Sequence, residues 1–174
     1  GPAERDWAAL AAGPREEIAG RPGLVSAVTS TKRVTVNQVR RLRFLDMLRA
    51  ELGEDLAVFG RGFRPIADKA EGIDRFRYHV VLENNLAPGL WTEKLADPIL
   101  GGAFPIFAGG PGLARWFDPR GFAEIDITRP RRAVAEVREL LRRDPVADPA
   151  TRAAMAENRR RLMEEHQLFP VLAA

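Results

Sequence analysis

Two short clusters hold many of the side chains that could do chemistry: Glu83-Asn84-Asn85 and, a few residues on, Thr92-Glu93-Lys94. A helix starting at Thr92 offers unpaired N–H groups and a positive dipole end, and Lys94 adds a full charge, so a phosphate there is physically reasonable. The same residues also fit a plainer role, with Thr92 as a helix cap, Glu93 at the favourable end of the dipole and Lys94 solvated. On residue types alone both readings stand. Arg41 is a further candidate. It lies near the start of an amphipathic stretch whose other arginines, Arg40, Arg43 and Arg49, read as a solvated face. Arginine suits phosphate through its planar fork of donors. All but three of the 27 basic residues are arginine, the exceptions being Lys32, Lys69 and Lys94, so the excess alone marks no site.

Several chemistries lack their material. With no cysteine in 174 residues there is no disulfide framework, no thiol nucleophile and no Cys-ligated metal. His79 and His166 make a poor metal set, so no metal is expected. The serines are Ser26 and Ser30, neither in a G-x-S-x-G elbow. Nothing matches the phosphate loop GxxxxGK[ST], and Gly60-Arg61-Gly62 meets Pro65 where a dinucleotide fingerprint needs a third glycine. Arg159-Arg160-Arg161 is offset by Glu157, Glu164 and Glu165 without interleaved aromatics, which argues against nucleic acid. The apolar runs are far shorter than the roughly 20 residues that cross a bilayer.

The elements that would position these residues alternate between short apolar runs and amphipathic stretches. Strands are expected at Leu24 to Thr29, Leu56 to Phe59, Tyr78 to Leu82, Ala103 to Ala108 and Phe122 to Ile127. Helices are expected from Val36 to Leu52, from Thr92, from Thr128 and from Pro149 to His166. The first helix should bury Val39, Leu42, Leu45, Leu48 and Leu52. In the second, Pro98 should interrupt or kink the backbone. Thr128 should cap the third, with Pro130 in its first turn and Val134, Val137, Leu140 and Leu141 buried. This pattern predicts an α/β fold, a doubly wound, Rossmann-like parallel sheet that binds ligands beyond the carboxyl ends of its strands. Residues 1–23 read as a cleavage scar (Gly1-Pro2), a short helix and a linker, 24–147 as the binding domain, and 148–174 as a C-terminal helix and tail.

At these residues the chain resembles the C-terminal, donor-nucleotide domain of glycosyltransferase family 10, the α-1,3/1,4-fucosyltransferases. The resemblance rests on Tyr78-His-Val-Val-Leu-Glu-Asn84, then Trp91-Thr-Glu-Lys94, then Gly102-Ala-Phe-Pro-Ile106 and Gly109-Gly110-Pro111. These are similar to the family's F-x-L-x-F-E-N, T-E-K and G-x-x-P-I-x-x-G. Upstream, Arg41-Leu-Arg-Phe-Leu-Asp-Met-Leu48 is similar to the family helix R-x-x-[FY]-[YL]-x-x-L, and Phe59-Gly-Arg-Gly62 to its F-G-R-G strand end. Coverage runs from about Leu24 to Arg143.

The resemblance implies half of a two-domain GT-B enzyme that transfers fucose from GDP-fucose to a glycan hydroxyl by single displacement with inversion. Arg41 and Lys94 would then neutralise the leaving diphosphate and Asn84 would contact the nucleotide. Glu93, beside the transferred sugar and ribose, would be the catalytic candidate. Ser30 is a guanosine or phosphate candidate, and His79, standing where the family has Tyr, a donor contact. Leu90 replaces a family aromatic. A cationic clamp of this kind needs no metal ion. The family's general base belongs to an N-terminal acceptor-binding domain with no counterpart here, so the chain reads as a piece of a longer protein that transfers poorly alone. The alternatives are a domain for another nucleotide sugar, or a non-catalytic nucleotide-binding or interaction module. The expected location is cytoplasmic, of bacterial type, with peripheral membrane association if the glycans are membrane-linked.

Overall fold

A computed structural model describes Gly13 and residues 17–166 of the chain. The expected short N-terminal helix falls mostly, and the C-terminal tail wholly, outside these residues. Five strands form one sheet: β1 (Gly23–Val28), β2 (Leu56–Phe59), β3 (Phe76–Leu82), β4 (Phe104–Ala108) and β5 (Ala123–Glu124). Their spatial order is β2-β1-β3-β4-β5 and every pair is parallel, the doubly wound arrangement. The near-continuous apolar character of β3 and β4 has a direct cause: both strands are covered on both faces, as parallel strands flanked by helices must be.

Helix α1 (Val36–Leu52) begins at a capping box, in which Thr35 Oγ1 accepts from Gln38 N–H and the Gln38 side chain accepts from Thr35 N–H. It buries Leu42, Phe44, Leu45 and Leu48, roughly 1.5–3 kcal/mol for each side chain taken from water. Val39, expected on this stripe, is instead 49% exposed, and Arg41 is buried. Helix α2 (Glu93–Gly101) is capped by Thr92 and runs through Pro98 to Gly102, a left-handed C-cap. Pro98 therefore does not end the helix. Its carbonyl accepts from Ala103 N–H, which helps close the last turn.

Helix α3 (Pro130–Arg143) departs from expectation at its start. Thr128 does not cap it, because its N–H and hydroxyl both donate to Asp126 Oδ1, and the cap residue Arg129 makes no side-chain cap bond. Val134, Val137 and Leu140 are buried as expected, and Leu141 partly so. The fifth strand is also shorter than its apolar run. Phe122, Ile125 and Ile127 are buried, but only Ala123 and Glu124 pair as a strand before the turn at Asp126. Helix α4 (Pro149–Glu164) packs on α2 and on the turn at Pro119–Gly121, where Asn158 bonds both the N–H and the carbonyl of Asp118.

Candidate functional site at the carboxyl edge

In this strand order the chain leaves β1 toward β2 and leaves β3 toward β4, so the connections diverge and open a crevice beyond the ends of β1 and β3. The loop from Thr29 to Thr35 borders it on one side and the loop from Glu83 to Thr92 on the other. Ser30, half-buried, lies in the first loop. Its neighbours Thr29 and Thr31 donate their N–H groups to Phe59 O and Arg61 O, joining this loop to the one after β2. Gly60 makes that junction possible: φ is +115° and a Cβ would fall 1.9 Å from Thr29 O.

Arg41 and Asn84 meet across the crevice. From the first half of α1, Arg41 Nη1 donates to Leu82 O at 3.3 Å and to Asn84 Oδ1 at 2.5 Å. Asn37, one turn earlier, donates to Asn84 O at 3.2 Å. The Arg41 residue is only 4% exposed, and its Nε has no hydrogen-bond partner. Burial pulls the guanidinium below its ordinary value while the nearby Glu83 carboxylate acts in the opposite sense. It keeps its charge, since arginine does not deprotonate in proteins.

Glu83 is 2% exposed and holds the second half of the site together. Its N–H donates to Ala108 O at 3.1 Å, tying it to the end of β4. Its carboxylate accepts from Thr92 N–H at 3.0 Å and lies 2.9 Å from Thr92 Oγ1 at both oxygens. Thr92 Oγ1 in turn accepts from Lys94 N–H at 3.3 Å. One buried acid thus fixes the start of α2 beside the end of β3. Beyond it, Lys94 Nζ donates to Glu93 Oε1 at 3.0 Å. Partial burial pushes the Glu93 carboxyl up, but the bond to Lys94 and its charge outweigh that and hold it below the usual range.

Arg41, Asn84, Glu93 and Lys94 are therefore brought to one edge, with Ser30 on the adjoining loop. His79 is not. It lies in mid-strand, paired in register with Ser26 of β1, and is 4% exposed with Nδ1 2.8 Å from Ser26 Oγ. Burial pushes it down to about 4, against a bond to the Gly72 backbone, so it is neutral and faces the interior. A donor contact through His79 does not fit this placement. Conversely, Glu83 and Asn37 shape the site without being among the candidates. Glu83 stood in the polar cluster as a signal; Asn37 carried none.

Two clefts of about 470 Å³ each open elsewhere. One lies past the ends of β4 and β5, between Gly109-Gly110 and Arg129, and the other at the amino edge against α4. Neither is lined by Arg41, Asn84, Glu93 or Lys94; of these Asn84 and Glu93 are exposed, Lys94 half-buried and Arg41 buried.

Known proteins share this architecture. No family model matches the chain. Over 60 residues it is 28% identical to the alpha-(1,3)-fucosyltransferase FucT of Helicobacter pylori, covering 34% of this chain and 13% of that protein. An α1,3-fucosyltransferase solved with GDP-fucose superposes with a TM-score of 0.61 at 24% identity, over 76% of this chain and 39% of that one. The pneumococcal O-GlcNAc transferase GtfA, solved with UDP and GlcNAc, gives 0.57 at 13% identity, over 85% and 34%. The chain thus spans 13% of its curated relative and well under half of each solved structure. What these likenesses establish is an α/β fold shared with glycosyltransferases, together with a segment similar in sequence to a fucosyltransferase.

Proposed function

We propose that residues 24–147 are the donor-nucleotide half of a fucosyltransferase-like GT-B enzyme, with GDP-fucose as donor. The observation that carries the reading is Arg41: a buried, charged guanidinium at the crevice, beside an Asn84 that it orients. In this reading Lys94 exchanges Glu93 for the diphosphate, and Arg41 stabilises the same negative charge as GDP departs. The acceptor hydroxyl oxygen bonds to the sugar's anomeric carbon as the bond from that carbon to the diphosphate breaks, inverting the centre. The hydroxyl proton passes to a base on an acceptor domain outside this chain. Glu93 faces the positive charge that develops on the sugar. The exposure of Asn84 and Glu93 beside the buried Arg41 suits a site completed by a second domain. No metal is required, and EDTA is expected to leave nucleotide affinity unchanged.

Calorimetric titration with GDP, GDP-fucose, UDP and ADP tests the donor. Binding is expected for the guanosine nucleotides, and Arg41→Ala or Lys94→Ala should each weaken GDP more than tenfold, about 1.4 kcal/mol or more. Preference for UDP would transfer the reading to another nucleotide sugar, which the GtfA likeness allows. Equal or absent binding across all four would end the donor assignment.

A further inference from the structure

Helix α1 has a second face. Val36, Val39, Arg40 and Arg43 follow the i, i+3, i+4, i+7 spacing and so share one side, across the helix from the buried Arg41, Leu45 and Leu48. Val36 is 67% exposed and Val39 49%. Val34, just before the helix, is 87% exposed. These are three of the five large hydrophobic residues exposed among the described residues, and they fall within one turn and a half of chain. Scattered exposed apolar residues need no explanation, but a cluster does.

The charge around this cluster is one-sided. From Thr29 to Leu45 the sequence holds Lys32, Arg33, Arg40, Arg41 and Arg43 and no acid. Among the described residues none of the four on the surface, Lys32, Arg33, Arg40 and Arg43, has a carboxylate at ion-pair distance; Arg40 bonds only its neighbour Asn37. On the later helices several arginines are instead neutralised by acids of the protein itself. On α3, Arg132 pairs with Glu136 at 2.8 Å and Arg142 with Glu139 at 2.7 Å; on α4, Arg160 and Arg161 both pair with Glu157. The turn Gly60-Arg61-Gly62 adjoins the same surface through the bond from Thr31 N–H to Arg61 O.

We propose that this face of α1, with the loop before it, docks on an anionic lipid surface. Cations unpaired on the protein complement acidic headgroups, and the valines between them enter the apolar boundary beneath. A soluble phosphate would use the cations but not the valines. Nucleic acid would favour aromatic stacking partners, and the face carries none. The inference does not depend on the nucleotide reading.

Co-sedimentation of the 174-residue chain with vesicles tests it. Vesicles of phosphatidylglycerol and phosphatidylcholine in equal parts should retain at least about fivefold more protein than pure phosphatidylcholine, with loss of binding as salt rises from about 0.1 M to 0.5 M. The double variant Arg40→Glu, Arg43→Glu should abolish retention. The triple variant Val34→Ser, Val36→Ser, Val39→Ser should reduce it several-fold while leaving capture by heparin unchanged. Should the triple variant misfold by circular dichroism, Val34→Ser alone is compared in the same way. Equal retention on both vesicles overturns the proposal, as does charge reversal without effect. Serine variants that bind vesicles normally, with duplex DNA captured equally well, also overturn it by showing a surface that takes any polyanion.

Discussion

Arg41 and Arg77 lie at opposite ends of the sheet's centre and are held in contrasting ways. At the amino edge, Arg77 Nη2 donates to both oxygens of Asp144 at 2.7 Å, and the Tyr78 hydroxyl donates to the same carboxylate at 2.7 Å. Burial and that carboxylate push the Tyr78 phenol upward, so it stays a donor. Arg21 likewise ends on the carbonyls of Phe76 and Gly101. There the bonding nitrogens end on acceptors belonging to the fold, while Arg77 Nε, like Arg41 Nε, has no hydrogen-bond partner. At the carboxyl edge a buried group instead orients an outer one: Arg41 holds Asn84, and Glu83 holds Thr92, which sets the turn carrying Lys94. The first arrangement suits a stabilising clasp, whereas the second fixes polar groups in place at the crevice.

Three experiments would break or sharpen this contrast. The largest effect is expected between the two edges, at His79. Its pKa is about 6.5 unfolded and about 4 folded, so between those values the unfolded chain binds more protons and stability falls as pH falls. By pH 4.5 the loss should be about 2–3 kcal/mol by urea denaturation, and His79→Asn should flatten that part of the profile. A flat wild-type profile from pH 6.5 to 4.5 would remove His79 from the interior. Next, Asp144→Ala strips Arg77 and Tyr78 of their shared acceptor and should cost about 2 kcal/mol of stability, discounted for partial exposure, with GDP affinity unchanged. A fall in GDP affinity with stability intact would erase the distinction between the edges. The smallest effect belongs to Glu93→Gln: GDP affinity is expected within about twofold of wild type, while transfer by the full-length protein drops. Loss of GDP binding would make Glu93 a ligand of the nucleotide instead.

Much of the scaffold was legible because its signals are local. The spacing of Leu42, Leu45 and Leu48 announces α1, Thr92 the start of α2, and the apolar runs of β3 and β4 a doubly covered sheet. Misreadings arose where a side chain's environment depends on distant parts of the chain. Val39 has the spacing of a core residue, but the first turns of α1 leave it uncovered, so periodicity overstated its burial. Arg41 stood out by its place near the start of its helix, but its burial comes from the end of β3, which supplies Leu82 O and Asn84. Glu83 shows in sequence only as part of a polar run, since its burial needs Thr92 folded back onto it. For His79, strand periodicity gives a face but not how far from the edge the residue ends up.

The brevity of β5 has a consequence for how anything else can join this domain. Only Ala123 and Glu124 pair with β4, and Phe122 and Ile125 on either side are buried, so this margin offers almost no backbone ladder to a visiting strand. Addition of a foreign strand, whether in assembly or in aggregation, meets a blunted template there. A companion domain approaching from that side would have to be recognised by side chains and loop shape, leaving that margin closed to templated growth.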